Sequence, residues 1–267
     1  MHHLRVLAVV LGLAGLGAWA CRDAGPVRAA LARGGHVPSA RLLATRLEGV
    51  SGLAPQIRAT HFWRLAAEAG DANAQLRLAE RLRRGLGAPR DEAQALRWLR
   101  RAAVAGHPEA QLGLAVACQL GQGCPRDVVA ARRWYERAAL AGHVGAMLAL
   151  AYLHQGGEGH PRCPELALRW YRQAAEAGSP AAQFHMGLLR EGAAGGAPEP
   201  VEAYGWYLLA AEQRHSLALT GAAALRPRLG PAEAQAAQAW VRAWKHRHGH
   251  PVSSPAVPLD QPLAPLA

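Results

Sequence analysis

The sequence predicts an all-α chain, an α/α solenoid of about five helix pairs closed by a C-terminal capping helix. Three observations carry this expectation. Hydrophobic residues make up 51% of the chain but aromatics only 6%, so the apolar mass is mostly Ala and Leu, which favour helix. Residue types recur at one fixed step: Phe62, Trp98, Trp134, Trp170 and Trp206 follow one another at 98 − 62 = 36 residues. Glycines keep the same step, as Gly70, Gly106, Gly142 and Gly178, and again as Gly87, Gly123, Gly159 and Gly195. A period in this range is the signature of stacked helix pairs.

The N-terminus reads as an export signal. Met1-His2-His3-Leu4-Arg5 opens the chain, Val6 to Cys21 is uncharged, and the run closes on Ala18-Trp19-Ala20. A basic start, an apolar stretch and a small-x-small site make a secretory signal peptide over residues 1–20. The run is shorter than the ~20 residues of a membrane span. Two other readings stay open. Cys21 stands where a lipoprotein carries its lipidated cysteine, although Ala18 and Trp19 suit such a signal poorly, and the segment can also serve as an uncleaved anchor. All three place the rest of the chain outside the cytoplasm, and membrane contact is expected only through Cys21 or an uncleaved signal. Residues 21–33 read as a linker or partial helix, 34–69 as a degenerate repeat, and 70–213 as regular repeats.

Each regular unit reads as two helices. The first begins after Gly-Asp, Gly-His or Gly-Ser and carries an apolar stripe, as in Ala74-Gln75-Leu76-Arg77-Leu78-Ala79. It stops at a glycine pair such as Gly85/Gly87 or Gly121/Gly123, where glycine supplies the left-handed cap. A Pro-Arg-Asp loop follows, with proline ending the first helix and aspartate capping the second. The second helix holds the tryptophan and paired alanines, as in Trp134-Tyr135-Glu136-Arg137-Ala138-Ala139, and closes on Ala-Gly. Small residues such as Ala74 and Ala139 let backbones approach, and the aromatic column is expected to fill the wedge between neighbouring pairs. Neither helix buries its stripe alone, so units must stack. Residues 214–248 read as a terminal half-repeat and a capping helix starting at Pro231, and 249–267 as a disordered Pro-rich tail.

The pattern Ala-Gln-x-x-Leu, Gly-x-Gly-x-Pro-x-Asp and Ala-x-x-Trp-Tyr-x-x-Ala-Ala-x-x-Gly, clearest in residues 110–142, resembles the Sel-one-like repeat, a relative of the tetratricopeptide repeats. The resemblance covers residues 74–213 well. A weaker copy precedes it, with Gly34, Leu42, Gly49 and Ala59 on the same columns. It implies a right-handed α/α superhelix whose concave face recruits other proteins, as adaptors do in signalling, secretion and envelope assembly. It carries no shared catalytic residues. Ala193, Pro198-Glu199 and Arg214 depart from the motif and mark a worn penultimate unit.

The formal net charge is +11, and Lys245 is the only lysine. The arginines are scattered at helical spacing among Glu and Gln, as on solvated helix faces, and no aromatic-interleaved basic patch of a nucleic-acid module is present. No serine elbow, phosphate loop, His-Glu-x-x-His helix or paired-carboxylate motif is readable, so no catalytic residue and no cofactor is expected. Some cysteine-rich exported relatives have been considered penicillin-binding or β-lactamase-like. This chain lacks their cysteine pair in every unit and has no Ser-x-x-Lys. Cys118 and Cys124 are candidates for a disulfide pinning a loop to its helix, the alternative being two small buried hydrophobes. Cys163 reads as free, or as another partner for Cys124. His154 and His160 share the columns of Cys118 and Cys124, but stacked units lie about 10 Å apart, too far for one tetrahedral metal, so they read as polar loop residues near solvent. His107, His143 and His215 read as turn residues, and His246, His248 and His250 as a solvated tail.

The expected function is therefore that of an exported, non-enzymatic adaptor in the cell envelope. Its partner contacts are assigned to solvent-facing first-helix residues: Arg77, Arg81, Arg84, Gln119 and Met147. Arginine beside apolar surface suits an acidic, partly helical or extended peptide. The competing classes are a cell-wall-active or β-lactam-binding enzyme and a structural envelope lipoprotein.

Overall fold

The structure is a computed structural model and describes residues 37–49, 51–157, 161–192 and 198–249. The expected signal peptide, Cys21, the 21–33 linker, His160 and the proline-rich tail after Gly249 lie outside the described residues. No described helix is long and apolar enough to cross a membrane. Every described element is helical, as the composition predicted.

The chain divides into two compact units, residues 1–134 and 135–267. The first holds α1 (Val37–Glu48), α2 (Leu53–Glu68), α3 (Ala72–Arg84), α4 (Glu92–Val104), α5 (Pro108–Leu120) and the start of α6 (Val128–Leu140). The second holds the rest of α6, then α7 (Val144–Gly156), α8 (Pro164–Glu176), α9 (Pro180–Glu191) and α10 (Pro200–Glu212). It ends with α11 (Ser216–Leu225), a 3-10 turn at Arg226–Arg228 and α12 (Pro231–His248). Odd-numbered helices are the first of each pair. Within residues 34–69, expected as a degenerate repeat, the described residues form the pair α1 and α2.

Local chemistry sets the helix ends. Asp71, Asp91, Asp127 and Ser179 accept a hydrogen bond from the backbone N–H three residues on, offsetting one orphan donor each. His107, His143 and His215 do the same through Nδ1, at 3.4, 3.3 and 3.3 Å, so these turn histidines are helix caps. The turn between pairs needs positive φ, and Gly70, Gly106, Gly142 and Gly178 supply it at 94°, 90°, 85° and 89°. In the worn unit Arg214 takes that conformation at 61° without glycine's freedom.

Packing repeats by column. In the first unit Trp63, Ala66 and Ala67 of α2 meet Ala74, Leu78 and Leu82 of α3, with Ala40 and Ala44 of α1 and Ala95 of α4 in the same core. In the second unit α8 packs on both α7 and α9, and α10 on α9, α11 and α12. A buried glutamine ties three of the first helices to the second helix before them: Gln75 Nε2 donates to Ala67 O, Gln111 to Ala103 O and Gln183 to Ala175 O, at 3.2, 3.1 and 3.2 Å. This is the physical content of the Ala-Gln motif. A buried amide without a carbonyl to meet would lose its hydration uncompensated.

The aromatic column sits less deeply than expected. Trp206 is buried, but Phe62, Trp98 and Trp170 are half-buried against the cores, as is Trp134. The deepest ring is one residue later, at Trp63, Tyr135, Tyr171 and Tyr207. The wedge is therefore shared between two columns, and the tyrosine hydroxyls at the second need acceptors. Tyr171 O–H donates to Gln155 Oε1 at 2.6 Å and Tyr207 O–H to Glu191 Oε2 at 2.9 Å.

The terminal helix caps the second unit as predicted. Trp240 and Trp244 of α12 meet Trp206 edge-on, at centroid distances of 5.0 and 5.7 Å. Lys245, the only lysine, is buried and pairs with Glu212 at 2.5 Å.

Candidate functional site

Within the first helices the columns that repeat, such as Ala74 and Leu78, are buried, so a partner surface there lies on the positions that vary. The five proposed contact residues divide on this test. Arg77 and Arg84 of α3 are exposed, and Arg77 keeps a surface ion pair with Glu80 at 3.1 Å. That pair is worth about 0–1 kcal/mol, so Arg77 can change partner cheaply.

Arg81 does not face solvent and is withdrawn from the contact set. It is 4% exposed. Its Nε–H donates to Thr60 Oγ1 at 2.8 Å, Nη1 to Glu48 Oε1 at 3.0 Å, and Nη2 to Gln56 O and Oε1 at 2.9 and 2.6 Å. Trp63 Nε1 also donates to that Glu48 oxygen, at 2.9 Å. The register carried a signal for this: over the following repeats the column holds Ala117, Leu153, Leu189 and Leu225, all apolar, with Leu189 half-buried and the others buried.

Met147 is corrected for a related reason. It occupies the glutamine column (147 − 111 = 36), and it is half-buried against the core of the second unit. Gln119 is half-buried too, in the column of Gln155 and Glu191, whose members accept tyrosine hydroxyls. Structural columns therefore hold two of the five residues and shade a third.

The varying positions change character along the chain. The column of Arg77 continues as Gly113, Ala149, His185 and Gly221, and that of Glu80 as Val116, Tyr152, Leu188 and Ala224. In the second unit these positions form an uncharged patch that sequence reasoning missed, although the Glu-Val-Tyr-Leu column announced it. Tyr152 and Leu188 are exposed at 44% and 43%. The ring of His185 stacks on Tyr171 at 4.8 Å with an interplanar angle of 15°, and its Nε2 lies 2.8 Å from Tyr152 Oη.

Burial, and then His215, lower the pKa of His185, while burial raises that of Tyr152. A neutral imidazole accepting the Tyr152 O–H satisfies both groups. Because the folded pKa lies below the unfolded value near 6.5, the unfolded chain binds the extra proton first. Stability is therefore complete above about pH 6.5 and falls as acid approaches the folded pKa. Urea midpoints at about pH 7.5 and pH 5.5 are expected to differ more for the wild type than for His185→Gln. Equal pH dependence in the two proteins would show that His185 is not the titrating group.

Among the described residues, the cysteines and remaining histidines do not converge into a site. Cys118 and Cys124 are neighbours, with Cys124 Sγ 3.7 Å from Ala117 O. Burial, and next the Cys124 thiol, push the Cys118 pKa up. Cys163 is a free thiol at the N-cap of α8. His154 is buried in the last turn of α7 and is not a loop residue near solvent. No group of three or more His, Cys, Asp or Glu converges for a metal among the described residues. The cleft lined by Arg64, Leu82, Pro89, Asp91 and Gln94 is open and shallow.

Stacked helix pairs with a buried column code and variable exposed faces define the class of α/α helical-repeat proteins. Five Sel1 repeats match, at residues 38–71, 72–107, 108–143, 144–179 and 180–215, and the chain belongs to the Sel1 repeat family. No curated protein matches it. Among solved structures it is similar to the protective antigen c5321 of uropathogenic Escherichia coli, with 29% identity over 81% of this chain and a TM-score of 0.66. The match covers 47% of that antigen, so the chain spans about half its length. It is also similar to a Sel1 repeat protein of Oxalobacter formigenes, with 27% identity, a TM-score of 0.62 and coverage of 66% of this chain and 73% of that one.

Proposed function

We propose that this chain is a non-enzymatic adaptor of the cell envelope that holds an acidic protein segment on the exposed faces of its first helices. One observation carries the reading: the repeating columns are consumed by the core, while the exposed first-helix positions differ from pair to pair. Such a division frees those positions to be shaped by a partner. Arg77 and Arg84 supply charge in the first unit, and Tyr152 and Leu188 supply uncharged, partly aromatic surface in the second. Taken each by itself, the first unit suits partner carboxylates and the second suits partner apolar side chains. The export signal read at residues 1–20 and the similarity to a protein described as a protective antigen support an exported setting.

A labelled peptide of alternating Glu and Leu is a direct probe. Binding followed by fluorescence anisotropy is expected to weaken with salt, and to weaken about tenfold in Arg77→Glu/Arg84→Glu. An affinity that neither change moves would remove these arginines from the contact surface. Intact mass of the protein from an envelope fraction of its host tests the location. A chain beginning at Cys21 supports export, and a cytosolic chain retaining Met1 defeats it.

A further inference from the structure

The turns that follow the second helices are of two kinds. At the last position of the helix one column holds Glu68, Glu176 and Glu212 in α2, α8 and α10, but Val104 in α4 and Leu140 in α6. All of them are exposed, Val104 at 65% and Leu140 at 82%. A second column changes in the same two repeats: Leu65, Gln173 and Leu209 give way to Arg101 and Arg137, both exposed. Arginine and an exposed apolar side chain therefore arrive together, in Arg101-Ala102-Ala103-Val104-Ala105-Gly106 and in Arg137-Ala138-Ala139-Leu140-Ala141-Gly142. Packing asks for neither, since the alanine pair between them is the same in every second helix from α2 to α10.

We infer that each of these two turns, taken by itself, is a contact point for an anionic lipid surface, with Val104 or Leu140 entering the interface and Arg101 or Arg137 meeting lipid phosphate. Shape favours lipid over protein. Nothing lies within 4 Å of where a side chain on Gly106 or Gly142 would begin, and Ala105, Gly106, Ala141 and Gly142 are exposed, so each turn stands out from its helices. A protein grips a projecting apolar side chain only by bringing a matching pocket, whereas the headgroup and acyl boundary of a bilayer receives one of any shape. Charge agrees. On α4, Arg97, Arg100 and Arg101 are exposed and no carboxylate follows Glu92, while Glu109 stands in the first turn of α5. On α6, Arg133 and Arg137 outnumber Glu136. Basic residues beside a lipid surface are drawn to anionic headgroups. The Arg101 guanidinium lies over the Trp98 ring at 4.6 Å. That contact occupies its flat face and leaves its N–H edge for phosphate oxygens. These turns lie off the first-helix faces assigned to the acidic segment, so the two readings stand or fall separately.

Cosedimentation of the full chain with vesicles tests this. Binding is expected to be stronger to vesicles of equal parts phosphatidylcholine and phosphatidylglycerol than to phosphatidylcholine alone. Val104→Glu and Leu140→Glu install the residue that the column carries at Glu68, Glu176 and Glu212, so the fold tolerates them. Each is expected to weaken binding to the mixed vesicles at least about fivefold. Ala93→Glu and Val129→Glu are the charge-matched controls. They add the same charge at the opposite ends of α4 and α6, in a column that already carries the exposed Glu165, and are expected to weaken binding less. Hydrogen exchange reads the turns directly: amides of residues 104–107 and 140–143 are expected to slow on mixed vesicles, and those of 176–179 to stay unchanged. Turn variants that lose no more than their controls would overturn the inference, because adsorption by net charge alone would then explain the binding. So would turns that exchange as fast in the vesicle-bound chain as in solution. Slowing of the same turns by the Glu and Leu peptide but not by vesicles would make the partner a protein and defeat the lipid reading.

Discussion

Arg81→Ala is expected to destabilise the first unit by roughly 2–4 kcal/mol, the effect of removing one member of a buried, charge-assisted network. The guanidinium holds four acceptor atoms, on Thr60, Glu48 and Gln56, and joins α3 to both α1 and α2. Truncation leaves Thr60 without its donor, loosens Glu48 and opens a void at a core column. Arg81→Leu separates these contributions. It installs the side chain that the same column uses at Leu153 and Leu225, filling the void without restoring the hydrogen bonds. Glu48 is 34% exposed and can rehydrate, so the leucine variant is expected to lose less than the alanine variant. Urea unfolding followed by far-UV circular dichroism reads both. If Arg81→Ala unfolds at the wild-type midpoint, Arg81 is a surface residue after all and returns to the partner surface.

A comparable loss is expected for Gly87→Ala. Gly87 has φ +68, which costs an alanine about 1 kcal/mol, and an added Cβ would lie 2.2 Å from Gln56 O and 2.7 Å from Ile57 N. Those are backbone atoms of α2, which cannot swing aside as a flexible side chain can, so overpacking adds about 1–3 kcal/mol. The comparison within the array is Gly123, on the same column at φ +72, where the nearest atom to an added Cβ is Glu92 O at 3.5 Å. Gly123→Ala is expected to show the backbone cost alone. Equal midpoints for the two variants would refute the close approach of the Gly87 loop to α2. Gln56 connects both predictions, since its carbonyl accepts from Arg81 and meets the would-be Cβ of Gly87. The double variant is therefore expected to lose less than the two single losses combined.

The uncharged patch on α7 and α9 and the arginines of α3 differ in how they could be found from sequence. Arg77 and Arg84 were legible as exposed because helical periodicity alone puts them opposite the stripe of Leu78 and Leu82. The same periodicity placed Arg81 and Met147 on the surface, wrongly. Charge and chain-local spacing governed that assignment, whereas the 36-residue register placed both in structural columns. His185 and Tyr152 were not legible as a pair because they lie one unit apart in sequence and meet only through stacked helices.

What the sequence by itself determined is everything that a helix pair decides locally. The step of 36 residues, the Asp, Ser and His caps, the turn glycines and the alanine columns set the helix boundaries and the all-α class, because capping, left-handed φ and close backbone approach each admit few residue types. What only the tertiary structure decided is the fate of side chains whose surroundings come from another helix. Arg81 is buried because acceptors 21 to 33 residues away converge on it, and Leu42 is exposed although Leu78 and Leu114 of the same column are buried. Burial is a property of the neighbour as much as of the residue, and in a stacked array the neighbour is the next unit.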